Sequence, residues 1–457
     1  MVHLYEYSHK GKPVYLMWDV ESASLSILDY AAFLCAKKKF ETLNASQEKD
    51  YSALEETTRK EIENELSELE KDGALNAPAL VKEFSKSTEV VKALCLHICH
   101  DCNLSCDYCF AGGGTYHTER DYMKAEVGKK AVDFLIENSG ARKNLEIDFF
   151  GGEPLMNMSA VKEIVAYAKE KAEENGKTFS FTMTTNCLLL NDENIAYLDR
   201  EMDNVVLSVD GRKCVHNGVR HAKNGKDCYD VILSNALKMR KARGDKKYYV
   251  RGTFTSKNTD FSEDILFLND EGFDQISVEP VVLPDDHPLA IKEEHLDKIL
   301  SEYEKFTENY LERRSCGKWF NFFHYMLDLE HGPCPNKRLI GCGAGTEYLA
   351  VTPNGDIYPC HQFAGLEEFR IGNVFSGISK ASVREMFASQ CVLTKTHCKD
   401  CFAKYFCGGG CAANAYNFSG DIGGQYKIGC ELTKKRLEMS LAVAAIEKSD
   451  AFKEDNQ

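Results

Sequence analysis

The stretch Cys102-Asn103-Leu104-Ser105-Cys106-Asp107-Tyr108-Cys109 places three cysteines at the spacing C-x3-C-x2-C. Three thiolates folded around one point can hold three corners of a cubane [4Fe–4S] cluster, which normally takes four cysteine ligands. A cluster with one bare iron can bind and reduce a further molecule. The alternatives are a zinc knuckle or three unrelated core thiols, and structural zinc prefers a closed set of four ligands. The pattern therefore favours an iron–sulfur cluster with one open corner.

This spacing, with the aromatic Tyr108 just before the last cysteine, resembles the radical S-adenosylmethionine (SAM) enzymes. The resemblance implies that SAM binds the open iron through its amino and carboxylate groups. An electron from the reduced cluster then cleaves the sulfonium, and the resulting 5′-deoxyadenosyl radical abstracts a substrate hydrogen atom. The cofactors carry the chemistry, while the protein orients them and excludes water. The expected catalytic and metal-binding residues are Cys102, Cys106 and Cys109.

The composition limits the function classes. The chain has 457 residues, of which 43% are hydrophobic, so it can bury a large core and form two or three domains. A formal net charge of −15 argues against a nucleic-acid partner. No early basic-then-apolar segment predicts a signal peptide, and no apolar run predicts a membrane span. We expect a soluble cytoplasmic protein with no nucleic-acid or membrane partner.

The chain contains 19 cysteines, far more than is usual. In a cytosolic protein of this size, clustered cysteines indicate metal or redox centres rather than a disulfide framework. We interpret the single ones as small buried hydrophobic residues; examples are Cys35, Cys187, Cys214, Cys228 and Cys316.

Residues 1–90 are predicted to form a small separate module. Apolar runs at 14–18 and 23–28 indicate two strands, Asp29 is placed to cap a helix beginning near Tyr30, and a second helix is expected from about Ser52 to Leu69. The arrangement resembles the winged-helix-like peptide-recognition element of enzymes that modify ribosomally made peptides, in which a leader peptide adds a strand to a sheet edge. The alternative is an N-terminal cap that shields the next domain.

Residues 91–330 alternate six apolar runs with helical segments, which predicts an α/β fold with a parallel sheet, closed or partly closed. Radical SAM enzymes use a partial (β/α)6 barrel, so the count agrees with the resemblance. Active sites in such sheets lie at the carboxyl ends of the strands, where the three-cysteine loop follows the first strand. Residues 291–330 are predicted to be helical, with the aromatic run 319–325 in the core. The six runs are 94–98, 145–150, 179–183, 205–209, 249–254 and 276–279.

Gly151-Gly152-Glu153-Pro154 follows the second predicted strand and resembles the GGEP motif of the same enzymes. Its glycines allow the backbone to approach a ligand closely, and Glu153 can accept hydrogen bonds from the SAM ammonium. By the same resemblance, Ser208 and Arg251 contact the SAM carboxylate and Asp210 contacts the ribose. Each of these three could instead be a structural polar residue at a strand end.

Residues 331–457 hold a second set of cysteines that resembles the SPASM extension, which carries two auxiliary [4Fe–4S] clusters. The family arrangement implies one cluster at Cys398, Cys401, Cys407 and Cys430. It implies another at Cys342, Cys360 and Cys411, whose fourth position takes Cys334 or stays open for a substrate thiolate. Zinc is the alternative, because paired cysteines also bind zinc.

Longer motifs resemble the SCIFF peptide maturases, which install thioether bridges in small cysteine-rich peptides. The resemblance implies a cysteine-rich precursor peptide with a leader as substrate, SAM and three [4Fe–4S] clusters as cofactors, and a small flavodoxin- or ferredoxin-type electron donor. The alternatives are a sulfatase-type maturase that oxidises a protein Cys or Ser and a non-catalytic iron–sulfur or zinc protein. The motifs are 95–97, 100–104, 148–154, 342–345, 358–363 and 409–416.

Overall fold

The first 71 residues form a three-stranded antiparallel sheet and three helices. The computed structural model describes residues 1–79, 81–84, 86–329 and 335–454, without the side chains of 335–337 and 450–454. The sheet order is β1-β2-β3, so β3 is an edge strand. The elements are β1 Val2–His9, β2 Lys12–Asp19, β3 Leu25–Leu28, α1 Tyr30–Phe40, α2 Ala45–Ala53 and α3 Glu56–Lys71.

Sequence patterns predict most of the strands and helices of this module. The Asp29 cap is confirmed, because its carboxylate accepts a hydrogen bond from the backbone N–H of Ala32 at 2.8 Å. Strand β1 was not predicted, although its residues alternate in burial. The helix expected from about Ser52 to Leu69 corresponds to α3, which begins at Glu56 because the backbone of Leu54 and Glu55 is extended. Helix α2 was not predicted.

Both faces of this small sheet are buried. Val2, Leu4 and Met17 share a core with residues of α1 and α3. Alternate residues point to the opposite face, and there Leu16 and Trp18 join the main core of the protein. The module is therefore packed against the body of the molecule rather than attached only by a linker.

The main sheet has eleven strands in the order β12-β11-β10-β8-β7-β6-β4-β13-β14-β15-β16. Its parallel centre contains β4, β6, β7, β8, β10 and β11, which confirms the six predicted strands. Those strands are β4 Ala93–Cys99, β6 Asn144–Gly151, β7 Thr178–Thr185, β8 Asn204–Ser208, β10 Tyr248–Phe254 and β11 Gln275–Pro280.

Helices cover one face of the parallel strands. Leu94, Leu96 and Ile98 of β4 share one apolar core with residues of helices α4 (Ala125–Glu137) and α5 (Met158–Asn175). The alternating residues Cys95 and His97 point to the other face of the sheet. A short antiparallel pair, β5 and β9, lies outside the main sheet. These elements are β5 Leu104–Cys106, α4 Ala125–Glu137, α5 Met158–Asn175, α6 Asp192–Glu201, α7 Lys213–Asn217, β9 Arg220–Ala222, α8 Tyr229–Arg243, α9 Phe261–Asp270 and α10 Leu296–Ser315.

The prediction of helix over 291–330 is wrong beyond Ser315. The chain turns at Gly317, whose φ is +83°, and continues as strand β12 Asn321–Phe322, parallel to β11. In the aromatic run, Phe320, Phe322 and Tyr325 are buried as expected. Trp319 and Phe323 are 47% and 50% exposed, because an extended segment points alternate residues to opposite sides.

The main sheet continues into the C-terminal region. Strand β13 runs parallel to β4, and β14 to β16 extend the sheet antiparallel. Cys334 lies outside the described residues. The remaining elements are α11 Pro335–Ile340, β13 Tyr348–Val351, β14 Asp356–Tyr358, β15 Gly372–Asn373, β16 Gly377–Ile378, α12 Ala381–Ala388, α13 Lys404–Cys407, α14 Ala412–Ser419 and α15 Lys427–Glu454.

Two of the isolated cysteines differ from expectation, since Cys214 and Cys316 are exposed, whereas Cys35, Cys187 and Cys228 are buried as predicted. No helix in the described ranges combines the length and the apolar character needed to cross a bilayer.

Candidate functional site

The three-cysteine loop leaves the carboxyl end of β4 and is fixed by the end of the neighbouring strand β6. The backbone N–H of Gly152 donates to the carbonyl of Cys99, and that of Glu153 donates to the carbonyl of Asp101, both at 2.9 Å. A Cβ atom on Gly152 would lie 1.8 Å from the Asp101 carbonyl oxygen. Only glycine allows this approach, so the first two residues of the GGEP motif hold the loop.

A buried ion pair fixes the other side of the loop. Strand β5, which carries Cys106, pairs with β9, placing Cys106 opposite Arg220. Arg220 donates two hydrogen bonds to Asp210, at 2.8 and 3.1 Å. The hydroxyl of Tyr108 donates to the same carboxylate at 2.6 Å, and the backbone N–H of Thr253 donates to it at 2.9 Å. The loop is thus tied to β8 and β10.

Asp210, which the resemblance assigns to the ribose of SAM, has several protein partners, and the ribose contact stays a prediction. Its side chain is buried, and all the bonds above come from protein groups. Burial acts to raise the pKa of Asp210, but the Arg220 guanidinium outweighs burial and holds that pKa below its usual value. The carboxylate is therefore an ionised anchor for the loop. Sequence reasoning missed Arg220, because a single basic residue in a three-residue strand carries no pattern.

Glu153 is also turned toward protein rather than toward an open site. Its carboxylate accepts bonds from the hydroxyl of Thr185 at 2.8 Å and the backbone N–H of Asn186 at 2.7 Å, and the residue has no exposed surface. Burial raises the pKa of Glu153 to about 7. The carboxylate thus joins the end of β6 to the end of β7, and its contact with the SAM ammonium stays a prediction.

Asn186, just past the end of β7, reaches the three-cysteine loop directly. Its side-chain amide donates to the Asn103 side chain at 2.7 Å and lies 3.6 Å from the sulfur of Cys102. The backbone N–H of Leu104 lies 3.4 Å from the same sulfur. The amide N–H groups of these two residues therefore point at Cys102, which suits a thiolate.

The three thiols fit the ligand set of a cluster. Burial, Glu153 and the thiols of Cys106 and Cys109 together raise the pKa of Cys102 to about 12. Burial likewise raises the pKa of Cys106 to about 11. The thiols are thus close enough to interact electrostatically, and those of Cys102 and Cys106 would be protonated at neutral pH without a metal. Metal ligation requires thiolates, so a bound cluster would supply the charge that stabilises them.

The C-terminal cysteines fall into two groups that match the expected division. Burial raises the pKa of the Cys360 thiol, and Cys411 and Cys342 raise it further. Burial raises the pKa of Cys407 to about 11, with added effects from Cys430, Cys398 and Cys401. In the described parts of the chain, no three or more Cys, His, Asp or Glu side chains are arranged to hold a metal ion. The assignment of these cysteines as cluster ligands therefore stays a prediction.

A layer of rings separates the three-cysteine loop from the group at Cys360. The His361 ring centroid lies 5.5 Å from that of Phe110, which follows Cys109, and 5.0 Å from that of Phe150 on β6. Burial lowers the pKa of His361 to about 4, so the ring is neutral. The two thiol sites therefore face the same end of the parallel strands.

Charged residues line the space between the strand ends and the C-terminal cysteines. Arg251 on β10 lies 3.0 Å from Glu279 on β11, so it is paired with a carboxylate rather than free. His324 lies 3.8 Å from Glu279 and 3.2 Å from Arg436. Burial acts against ionisation, but Arg251, His324 and Arg436 lower the pKa of Glu279 to about 2. Ser208 is the neighbour of Arg251 in the sheet.

Glu279, His324 and Arg436 border a cavity of about 460 Å³. Its wall also contains five of the seven C-terminal cysteines proposed as ligands, namely Cys398, Cys401, Cys407, Cys411 and Cys430. The space is of the size of ligand pockets in proteins, and it combines thiols with fixed charges. His324, expected only to fill the core, is part of this charged wall.

Comparisons with known proteins agree with this geometry. Residues 91–226 match a model described as a 4Fe-4S single cluster domain, and residues 342–404 match the SPASM iron-sulfur cluster-binding domain. The solved structure of anSMEcpe with bound AdoMet superposes with a TM-score of 0.66 at 19% identity, covering 78% of this chain and 96% of that one.

The chain has a radical SAM fold with a C-terminal SPASM domain. Such domains hold [4Fe–4S] clusters. A cysteine-type anaerobic sulfatase-maturating enzyme of Clostridium novyi is 24% identical over 359 residues, covering 75% of this chain and 93% of its own. The radical SAM cyclopropyl synthase TigE of Paramaledivibacter caminithermalis is 23% identical over 368 residues, covering 76% and 73%.

The structure of SuiB from Streptococcus suis bound to its precursor peptide SuiA superposes with a TM-score of 0.51 at 15% identity and covers 92% of this chain and 97% of that one. A match of this extent includes most of the 90 N-terminal residues, because only about 8% of the chain is left out. The similarity to a solved structure therefore extends beyond the barrel into the N-terminal module.

Replacing Gly152 by alanine should displace the three-cysteine loop, because the new Cβ would overlap the Asp101 carbonyl. We expect the purified, anaerobically reconstituted variant to lose about four irons per chain, the content of one [4Fe–4S] cluster, and to form no 5′-deoxyadenosine. The measurement is iron and sulfide content together with product analysis.

Gly113→Ala, in the turns that follow the three-cysteine loop, is the control for a glycine-to-alanine change near the site. Gly113 has a φ of +72°, but no atom of the described residues lies within 4 Å of the point that a Cβ would occupy, so alanine costs only backbone strain, on the order of 1 kcal/mol. We expect this variant to keep its cluster. Equal iron loss in both variants would contradict a role for the close approach.

Proposed function

We propose that this protein is a radical SAM maturase that installs Cys-to-carbon thioether crosslinks in a ribosomally made, cysteine-rich precursor peptide. The observation that carries the proposal is the proximity of two thiol sites. The three-cysteine loop and the group at Cys342, Cys360 and Cys411 are separated by the ring of His361. A peptide at this end of the barrel would therefore meet a radical source on one side and a thiol-binding site on the other.

Cys102, Cys106 and Cys109 would hold the cluster, which together with SAM would supply the radical chemistry that removes a hydrogen atom from the acceptor residue. The substrate thiol would lose its proton as the S–C bond forms, and the cluster expected at Cys342, Cys360 and Cys411 would take up the remaining electron. The protein's part is to hold the loop, to exclude water and to position the peptide. The loop is held by Asp210, Arg220 and Gly152, which anchor it on both sides.

Arg251 and Glu279 are suited to position the peptide. Arg251 is about half exposed to the barrel interior although it is paired with Glu279, so it keeps N–H groups free for a ligand. Glu279 stays ionised at neutral pH because of its cationic neighbours. We assign these residues to the peptide or to the SAM carboxylate, together with Ser208.

The N-terminal module is proposed to bind the leader. Strand β3 lies at the edge of its sheet, and Ile27 on this strand is 46% exposed. An exposed edge can accept an added strand through main-chain hydrogen bonds, while an apolar side chain gives selectivity. The extent of the match to the SuiB–SuiA structure supports this assignment.

A sulfatase-type maturation is the second candidate, favoured by the similarity to the Clostridium novyi enzyme. In that reaction a single Cys or Ser is oxidised and no bond joins two residues. Mass spectrometry of the peptide products distinguishes the two candidates, because a crosslinked cysteine resists alkylation whereas an oxidised one changes in mass without joining another residue.

Alanine substitution should separate the two thiol sites. We expect Cys106→Ala to abolish 5′-deoxyadenosine formation, because the loop would lose a cluster ligand. Cys411→Ala should spare some SAM cleavage but stop crosslinking. The assay incubates dithionite-reduced protein with SAM and a cysteine-rich precursor peptide, then quantifies 5′-deoxyadenosine and crosslinked product.

Cys214→Ala serves as the control, because Cys214 is exposed and belongs to neither group; it should retain both activities. Full crosslinking by Cys411→Ala would refute the proposed role of the second site.

Ile27→Glu should weaken leader binding by about tenfold, which corresponds to roughly 1.4 kcal/mol, because it replaces an exposed apolar side chain on the edge strand with a charge. SAM cleavage without peptide should be unchanged. The dissociation constant of a fluorescent leader peptide gives the readout.

Val231→Glu is the control for added charge, since Val231 is an exposed apolar residue on α8, 51% accessible. If Ile27→Glu binds the leader as tightly as the Val231 variant does, the edge strand is not the binding site.

A further inference from the structure

The segment between Cys401 and Cys407 is covered by the N-terminal sheet. Four of its five residues contact that sheet, and the four are Phe402, Lys404, Tyr405 and Phe406. Both flanking cysteines belong to the group assigned above to one auxiliary cluster. This contact joins the first residues of the chain to a site formed some 380 residues later, and no sequence motif indicates it.

A buried ion pair lies at the centre of the contact. The Lys404 ammonium lies 2.8 Å from one oxygen of Glu21, and the side chains are only 7% and 4% exposed. The Tyr405 hydroxyl donates to the other oxygen at 2.8 Å. Burial and this bond to Glu21 raise the pKa of Tyr405, so the hydroxyl keeps its proton. One carboxylate therefore holds two consecutive residues of the segment.

Two ring contacts flank the ion pair. The Phe402 ring stacks on His3 of β1 with centroids 3.6 Å apart and planes within 5°. The Phe406 ring meets the edge of Trp18 on β2 at 5.8 Å, and Trp18 is fully buried. The cover thus extends along the whole length of the segment.

Glu21 is held rigidly. It lies in the turn between β2 and β3, where the buried Asp19 accepts bonds from the backbone N–H groups of Glu21 at 3.1 Å and Ser22 at 2.8 Å. The same turn leads into β3, the edge strand proposed to pair with the leader. The anchor of the cysteine segment and the leader-binding edge therefore belong to one continuous stretch.

We propose that Glu21 is a positioning residue for the site at Cys398, Cys401, Cys407 and Cys430, so that the N-terminal module is a structural part of that site as well as a leader-binding element. The proposal rests on the proposed cluster ligation by these cysteines. Without the Glu21 carboxylate, Lys404 would be a buried unpaired charge, and such a charge drives the surrounding segment out of place to reach water. Cys401 and Cys407 would move with it.

The test measures iron, sulfide and the electron paramagnetic resonance (EPR) spectrum of full-length, anaerobically reconstituted protein. Wild-type protein should hold about twelve irons, the content of three [4Fe–4S] clusters. Glu21→Gln should hold about eight and lose one auxiliary EPR signal. SAM cleavage to 5′-deoxyadenosine should persist, because the three-cysteine loop does not contact Glu21.

A double variant separates positioning from general damage. Removing both charges of a buried pair is often neutral, whereas removing one is costly. Glu21→Gln combined with Lys404→Met should therefore recover about twelve irons and the wild-type spectrum. Glu6→Gln, at an exposed position on the same sheet, should change nothing.

The outcomes are distinct. If Glu21→Gln retains all its irons and an unchanged spectrum, or if it loses the three-cysteine cluster along with the others, the positioning role is refuted. A double variant as poor in iron as the single one also refutes it. If wild-type protein itself holds only about four irons, the proposed ligation by the C-terminal cysteines fails, and this inference fails with it.

Discussion

The backbone contact between the end of β6 and the loop after β4 is the constraint on which the site depends. The loop carries three cysteines, but only three of its residues form a strand. Its conformation therefore depends on contacts with neighbouring segments. Gly152 allows the backbone of β6 to lie directly against Asp101, and the Asp210–Arg220 pair holds the opposite side. Cysteine spacing identifies the candidate ligands, and these neighbouring residues place them at the carboxyl ends of the strands.

The same end of the sheet gathers the other functional groups. The main sheet does not stop after the barrel strands but continues through β13 beside β4, which brings the C-terminal cysteines next to the three-cysteine loop. The N-terminal sheet then packs on the far side of those cysteines through Trp18 and Glu21. Peptide recognition, thiol chemistry and radical formation would thus be arranged along one continuous surface.

Much of the fold follows from sequence patterns. The six parallel strands are predictable because alternate apolar residues such as Leu94 and Leu96 must be covered by helices. The end of α10 was missed because its apolar stripe runs into the aromatic residues 319–325, which pack equally well from an extended chain. The start of α3 was expected four residues too early because Leu54 and Glu55, the extended residues before it, include neither glycine nor proline.

Of the site, sequence patterns predict only the candidate ligands. Cysteine spacing is local, so the motif residues stand out in the sequence. Arg220, Asn186 and Glu21 act through contacts with distant residues, and each is an ordinary polar residue in its own stretch. Motif resemblance also does not reveal that the buried carboxylates of Asp210 and Glu153 accept hydrogen bonds from protein donors.

The central claim is that the cluster at the three-cysteine loop has an open iron that binds SAM. Electron–nuclear double resonance on dithionite-reduced protein with SAM labelled by ¹⁵N in its amino group and ¹⁷O in its carboxylate tests this claim directly. We expect hyperfine coupling from both labels to the reduced cluster, and none in Cys106→Ala. A wild-type spectrum without coupling to either label would contradict the claim.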